Sequence, residues 1–147
     1  MSLYHKKQAE PSMIGNIFIQ LGRALAGLWR LIFGSKAKKL DAARMLAQFA
    51  EIERLLDSGD SIHASQAIVR ADSFLDAVMR QVGGQGSSFG ERVRSLEARF
   101  ERSLYQQIWE AHKLRNLIAH EHPQITVGQA RSVLQTFRKA ASVLGAF

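Results

Sequence analysis

The chain has 147 residues, the size of one ordinary domain, and is long enough to bury a hydrophobic core without covalent cross-links. It has no cysteine, which excludes disulfides, cysteine-ligated zinc and thiol catalysis. The net charge of +7 would suggest nucleic acid, but residues 1–40 carry seven Lys/Arg against one acid, and residues 41–147 carry thirteen against twelve. The basicity therefore belongs to the N-terminal segment, which argues against a large nucleic-acid-binding face on the rest of the chain.

The first predicted element is an amphipathic helix over residues 13–33, with apolar side chains on one side and polar ones on the other. A helix of this length, roughly 30 Å, would just cross a bilayer. Arg23 would then lie near the middle of the hydrocarbon, at a cost of at least about 2.5 kcal/mol. A helix lying in the membrane interface avoids that cost, because Arg23 and Arg30 meet lipid phosphates there. The apolar residues predicted to face the membrane are Ile14, Phe18, Leu21, Leu25, Trp29 and Ile32.

The basic run SKAKK at 35–39 follows this segment and suits an anionic leaflet. We therefore expect residues 13–39 to attach the protein to an anionic membrane surface, at the inner face of the membrane in the cytoplasm. Two alternatives stay open. The segment either spans the bilayer or packs as an amphipathic helix on its own domain or on a second chain.

The rest of the chain predicts helices and no sheet, because it has no sustained Val/Ile/Thr alternation bounded by turns. Asp41 caps the first of these helices, which ends at DSGD, residues 57–60. Ser61 caps the second helix, which stops at the glycine-rich stretch 83–90. That stretch predicts a flexible connection, with a short helix over 91–100 as an option.

The third long helix runs from about Leu104 to Glu121 and stops before Pro123, because the residue preceding a proline is pushed out of the helical region. Thr126 caps the last helix. The predicted fold is therefore all-α, a compact antiparallel bundle of four to five helices. The domain over 41–147 carries this bundle, and residues 1–40 form the separate N-terminal segment.

The third helix contains HKLRNLIAHEHP, residues 112–123, in which polar groups interrupt an otherwise apolar stretch. An apolar stripe is expected to face the bundle, made of Leu104, Ile108, Ala111, Leu114 and Ile118. His112, Asn116 and His120 line a neighbouring edge, with Arg115 at the border. Arg115 and His120 lie about 140° apart around the axis, so one helix does not aim both at one atom. A second copy of the helix across a twofold axis would make their groups converge.

These residue types suit phosphodiester cleavage. A histidine takes or delivers a proton near neutral pH, and an arginine fork matches phosphate oxygens and stabilises charge in the transition state. RNA supplies its own 2′-hydroxyl as the nucleophile, and the chain lacks a carboxylate cluster for a two-metal site, so we expect no metal and no cofactor. A purely structural role is the alternative. His120 would then stabilise the helix dipole, and His112 and Asn116 would form a solvated edge.

RNLIAH, residues 115–120, resembles the R-x(4-6)-H motif of the HEPN (higher eukaryotes and prokaryotes nucleotide-binding) domains, including the polar residue that often follows the arginine. The preceding long helix over 64–79 resembles the paired helix of that family, so the likeness covers about residues 41–147. The resemblance implies a dimeric helical bundle. Many members are metal-independent ribonucleases that act as toxins or in antiphage defence, with the Arg and His of two chains sharing one cleft.

By this resemblance Arg115 would hold the phosphate, Asn116 would orient it or its neighbour, and His120 would be the acid/base. His112 and His122 would be accessory. One subgroup has a tyrosine two positions after the histidine, which a partner nucleotidyltransferase modifies. His122 stands there in this chain, which argues against that control. Other members act without catalysis, so the alternative is a module that binds a nucleotide or a partner protein. The sequence names neither an RNA target nor an antitoxin.

Overall fold

The computed structural model describes residues 40–147. The predicted amphipathic helix over 13–33 lies outside the described residues. Residues 40–147 form five α-helices and no strand, which confirms the predicted all-α helical bundle. The helices are α1 (Ala42–Arg54), α2 (Ser61–Gln81), α3 (Phe89–Ser95), α4 (Arg102–Glu121) and α5 (Val127–Val143), with 3₁₀ turns at Leu55–Ser58 and Glu97–Arg99. None of these helices is both long and apolar enough to cross a bilayer.

Two of the predicted helix starts are confirmed, and one is shifted by a residue. Asp41 accepts a hydrogen bond from the Arg44 backbone N–H at 3.1 Å, and Thr126 forms a capping box at the start of α5. The cap of α2 is Asp60, and the prediction of Ser61 was wrong. The Ser61 hydroxyl instead accepts a hydrogen bond from the Ile125 N–H at 2.9 Å, which ties the α4–α5 connection to α2.

The short helix begins earlier than predicted and is shorter. It covers Phe89–Ser95 and not 91–100, because Ser88 and Glu91 form a capping box that starts it. The Glu91 carboxylate also accepts hydrogen bonds from the backbone and hydroxyl of Ser87, at 2.6 and 2.9 Å. Hydrogen bonds from Ser87 and Ser88 lower the pKa of Glu91 from 4.5 to about 2.

A buried arginine anchors this region to α2. Arg92 is 8% exposed and bonds both carboxylate oxygens of Asp76, at 2.7 and 3.1 Å, and the Gly86 carbonyl oxygen at 2.6 Å. Gly86 has φ +115°, and an added Cβ would lie 2.3 Å from the Glu91 Cβ, so only glycine fits there. The connection between α2 and α3 is therefore held by a specific network.

The hydrophobic core lies around α2, which packs against α1, α3, α4 and α5. Phe49 of α1 is fully buried and meets Phe74 of α2 edge to face, with ring centroids 5.3 Å apart. Burying a side chain of this kind stabilises the fold by about 1.5–3 kcal/mol. The other large side chains that are almost fully buried are Phe137, Ile68, Leu75, Met79, Leu104, Ile108, Leu134, Val78 and Val93. One acid, Asp72, is buried among the apolar residues of α2.

Candidate functional site

The polar residues of α4 point in three directions. At about 100° per residue, position 115 lies within about 20° of Leu104 in the buried stripe, whereas position 120 lies about 160° away. In agreement with these angles, the Arg115 side chain is only 33% exposed, whereas His120 lies in the exposed surface. The His112 side chain is 16% exposed. The guanidinium thus enters the bundle further than its predicted border position implied.

A buried carboxylate joins two of these residues. Asp72 of α2, with 6% of its side chain exposed, lies 2.7 Å from His112 through Oδ1 and Nδ1, and 3.6 Å from Arg115 through Oδ2 and Nε. Phe89 of α3 stacks flat on the imidazole of His112, with ring centroids 4.0 Å apart and an angle of 4°. Such a carboxylate fixes the orientation of the imidazole and leaves Nε2 for another partner. We call Asp72, His112 and Arg115 the Asp72 cluster.

The guanidinium of Arg115 is only partly satisfied by the protein. Its Nη1 donates a hydrogen bond to the Asn116 Oδ1 at 3.1 Å. Its Nε is buried and has no hydrogen-bond partner, since Asp72 at 3.6 Å is too far. Within residues 40–147 no other group bonds this guanidinium. Arg115 therefore keeps free donors that suit an anionic ligand.

The Asp72 cluster opens into a groove between α2, α3 and α4 with a volume of about 540 Å³. We call it the Arg115 groove. Three arginines and two aspartates line it, so its formal charge is positive before any protonation of His112. Its main polar and aromatic lining residues are Asp72, Asp76, Arg80, Arg94, Trp109, His112 and Arg115. A concave, positively charged groove with a free arginine is suited to a phosphate group.

His120 and His122 do not line this groove. His120 lies in the exposed last turn of α4. His122 follows the helix in the left-handed conformation, φ 48°, and lines a second groove with Ile62 and Ile118. Within one chain the structure thus brings together His112, Arg115 and Asn116. It leaves His120 and His122 apart from them.

Sequence reasoning missed Asp72, Arg94 and Trp109. A signal for Asp72 was present, because it stands four residues after Ile68 and three before Leu75, where the helical period of α2 requires a buried side chain. An acid in such a position needs a buried partner on another helix. No comparable signal marks Arg94 or Trp109, because their role depends on how α3 packs against α4.

Residues 40–147 contain no group of three His, Asp or Glu side chains placed to hold a metal ion. Comparisons of the chain with protein-family models, with curated proteins and with solved structures give no match.

Proposed function

We propose that this protein is a metal-independent endoribonuclease of the HEPN type that acts as a homodimer. One observation carries the proposal. The Asp72 cluster combines an imidazole held by a carboxylate with an arginine that keeps free donors, both in one positively charged groove. Histidine supplies proton transfer and arginine stabilises developing charge, while the 2′-hydroxyl of RNA is an internal nucleophile.

In this proposal Arg115 binds the scissile phosphate and stabilises the charge that develops on it. Asn116, which accepts a hydrogen bond from Arg115, orients the guanidinium. His112 exchanges a proton with the substrate through Nε2, and Asp72 positions it by holding Nδ1. The Nε2 of His112 takes the proton of the 2′-hydroxyl, and the 2′-oxygen forms a bond to phosphorus. The bond between phosphorus and the 5′-oxygen of the next nucleotide breaks, and that oxygen receives a proton from a second acid/base. The products are a 2′,3′-cyclic phosphate and a 5′-hydroxyl.

His120 enters this scheme through a second chain. It lies eight residues after His112, about 12 Å along the helix axis, which is too far to share one phosphate with it in the same chain. A twofold arrangement brings His120 of one protomer to the groove of the other as the second acid/base. Leu117, which is 38% exposed and lies three residues before His120, would be part of that interface.

Dimerisation has its own test. Light scattering at tens of micromolar should give twice the chain mass, and Leu117→Asp should shift the protein toward a monomer with little loss of stability. Leu46→Asp is the matched control, because Leu46 is 44% exposed but lies on α1. A strict monomer for the wild-type chain would exclude the composite site.

The cleavage test uses purified protein and RNA in a metal chelator. We expect cleavage to persist and to leave a 2′,3′-cyclic phosphate, and we expect 2′-deoxyribose at the cut to block it. His112→Ala and His120→Ala should each lose about 10²- to 10⁴-fold in rate. Arg115→Lys should be severely impaired, because a point charge does not replace the bidentate fork. His122→Ala should lose much less.

Mixing two inactive variants distinguishes a composite site from two separate ones. If Arg115 of one chain works with His120 of the other, a mixture of Arg115→Ala and His120→Ala chains should recover about a quarter of wild-type activity. Half of the randomly paired dimers are then mixed, and each has one intact site. No recovery in exchanged dimers would contradict sharing, and no cleavage by wild-type protein would contradict the ribonuclease proposal.

The second candidate is a non-catalytic HEPN module that binds a nucleotide or a partner protein. One observation favours it. The His112 side chain is only 16% exposed and is held between Asp72 and Phe89, which fits a structural role for this histidine. In that case the groove would bind a phosphate-bearing ligand without cleaving it. The wild-type protein would leave RNA intact in every assay, and His112→Ala would lower the stability of the fold.

We also propose that residues 13–39 attach the protein to anionic membranes, from the amphipathic pattern of residues 13–33 and the basic run that follows. The full chain should float with anionic vesicles, and a chain that begins at Leu40 should not. Binding should weaken with salt, since exposed charges are screened within about 10 Å at 0.1 M. Equal and poor flotation of both chains would contradict membrane attachment.

A further inference from the structure

Trp109 lies beside the Asp72 cluster in the wall of the Arg115 groove. Its ring centroid is 6.4 Å from that of His112, at an angle of 76°. The ring is half-buried, and its outer edge fits against Gly90, where an added Cβ would lie 2.9 Å from Cη2. Tyr105 braces the ring edge to face at 6.2 Å. The indole is therefore fixed in place at the groove by neighbours on α3 and α4.

Arg94 covers one face of this ring, with Cζ 5.2 Å from the ring centroid. Arg94 is exposed, and within residues 40–147 it forms no ion pair. Among the described residues the indole is thus the group that holds this guanidinium, and its N–H donors suit a phosphate. The face it covers then becomes available to another flat, polarisable group.

We propose that Trp109 and Arg94 form a nucleobase-stacking subsite and that the substrate is consequently single-stranded RNA. This inference rests on the proposed function, because it names the substrate class of the same groove. A base stacks on the indole while the adjoining phosphate binds Arg115, and Arg94 turns from the indole to the next phosphate. Bases of a duplex are already stacked on each other and do not reach the ring. Stacking accepts any base, since every base has a π-face.

The test measures binding apart from cleavage. The probe is a single-stranded 2′-O-methyl RNA oligonucleotide, which lacks the nucleophile, and its partner is an oligonucleotide of the same length with abasic residues. The full-length chain carries Trp29→Phe, which leaves Trp109 as its single tryptophan. The base-bearing probe should quench Trp109 fluorescence, and the abasic probe should not. Affinities are measured by fluorescence anisotropy.

Trp109→Leu should weaken binding of the base-bearing probe about 5- to 100-fold, the usual effect of removing one stacked aromatic. Trp109→Phe should restore most of the affinity, and the abasic probe should bind all three proteins alike. Phe147→Leu is the matched control, because it removes an aromatic ring that contacts Phe49 and does not line the groove. It should leave the affinity within about twofold.

Three results would overturn the subsite. They are equal affinity of Trp109→Leu and Trp109→Phe, equal loss in Phe147→Leu and Trp109→Leu, or no binding of the base-bearing probe by the protein that keeps Trp109. These results are separate from the cleavage assay. If the base-bearing probe quenches Trp109 fluorescence but the protein never cuts RNA, the stacking subsite stands and the ribonuclease proposal falls. If the protein cuts RNA but shows none of these Trp109 effects, the subsite proposal falls and the ribonuclease proposal stands.

Discussion

Replacing Asp72 with asparagine tests whether the Asp72 cluster is built around a buried negative charge. The amide keeps the size of the carboxylate, so the change creates no cavity. It does place an N–H₂ group where one carboxylate oxygen stood. Because Oδ1 lies 2.7 Å from His112 Nδ1 and Oδ2 lies 3.6 Å from Arg115 Nε, the new donor must face one of these two nitrogens. Arg115 also loses the one carboxylate near it within residues 40–147.

The size of the effect follows from this geometry. A hydrogen bond to a charged group contributes about 1.5–3 kcal/mol, and removing one partner of a buried ion pair costs about 3–5 kcal/mol. One-third of the Arg115 side chain is in contact with water, which solvates part of the unpaired charge. We therefore expect a loss of about 2 kcal/mol in the free energy of unfolding, equivalent to a fall of about 6 to 10 °C in Tm.

Urea denaturation of the full chain, followed by circular dichroism, measures this loss. Glu53→Gln is the matched control, because it makes the same chemical change in the Glu53–Arg138 pair, in which both side chains are 41% exposed. That variant should lose less than about 1 kcal/mol. An Asp72→Asn variant no less stable than Glu53→Gln would refute a buried negative charge at the centre of the Asp72 cluster. Asp72→Asn should also impair RNA cleavage without unfolding the protein.

Three further predictions concern the scaffold. Glu91→Gln should be less stable than wild type near neutral pH, and this difference in the free energy of unfolding should disappear as pH falls from about 4.5 toward about 2. The reason is that the pKa of Glu91 is lowered to about 2 in the folded state, so the unfolded chain binds the proton first. A difference that urea titrations show to be constant with pH would contradict this. Gly90→Ala should displace Trp109, whose Cη2 lies 2.9 Å from the added Cβ, and an unchanged near-ultraviolet circular dichroism spectrum would count against that contact. Phe49→Ala should lower the free energy of unfolding by about 3–5 kcal/mol in thermal unfolding, because Phe49 is fully buried. Leu46→Ala should lower it by less than about 0.5 kcal/mol, because Leu46 is 44% exposed.

The fold was predictable where local chemistry decides it. Asp41 and Thr126 cap helices because their side-chain oxygens reach backbone N–H groups three residues on, and Pro123 ends α4 through its own ring. The α2 cap was missed because Asp60 and Ser61 are both good capping residues. The choice between them depends on Ile125, to which Ser61 is bound, 64 residues further along the chain.

The sequence predicted only those residues of the candidate site that lie together on one helix, α4. The sequence places Arg115, Asn116 and His112 on adjacent parts of α4, and the structure brings these three together. The sequence of α4 does not contain the partner of the His112 imidazole. That partner, Asp72, lies on α2 and meets His112 only when the two helices are packed. The proposed part of His120 depends on a second chain and stays a prediction.

The span between Asp72 and His112 has a kinetic consequence. Their hydrogen bond closes a loop of 40 residues and requires α2, α3 and α4 to be in place, since Phe89 of α3 also holds the imidazole. Contacts so distant in sequence form after local ones, because closure of a long loop costs entropy before it gains any interaction. We therefore expect the Asp72 cluster to assemble after the folding transition state. Changes in it would then speed unfolding and leave the refolding rate nearly unaltered.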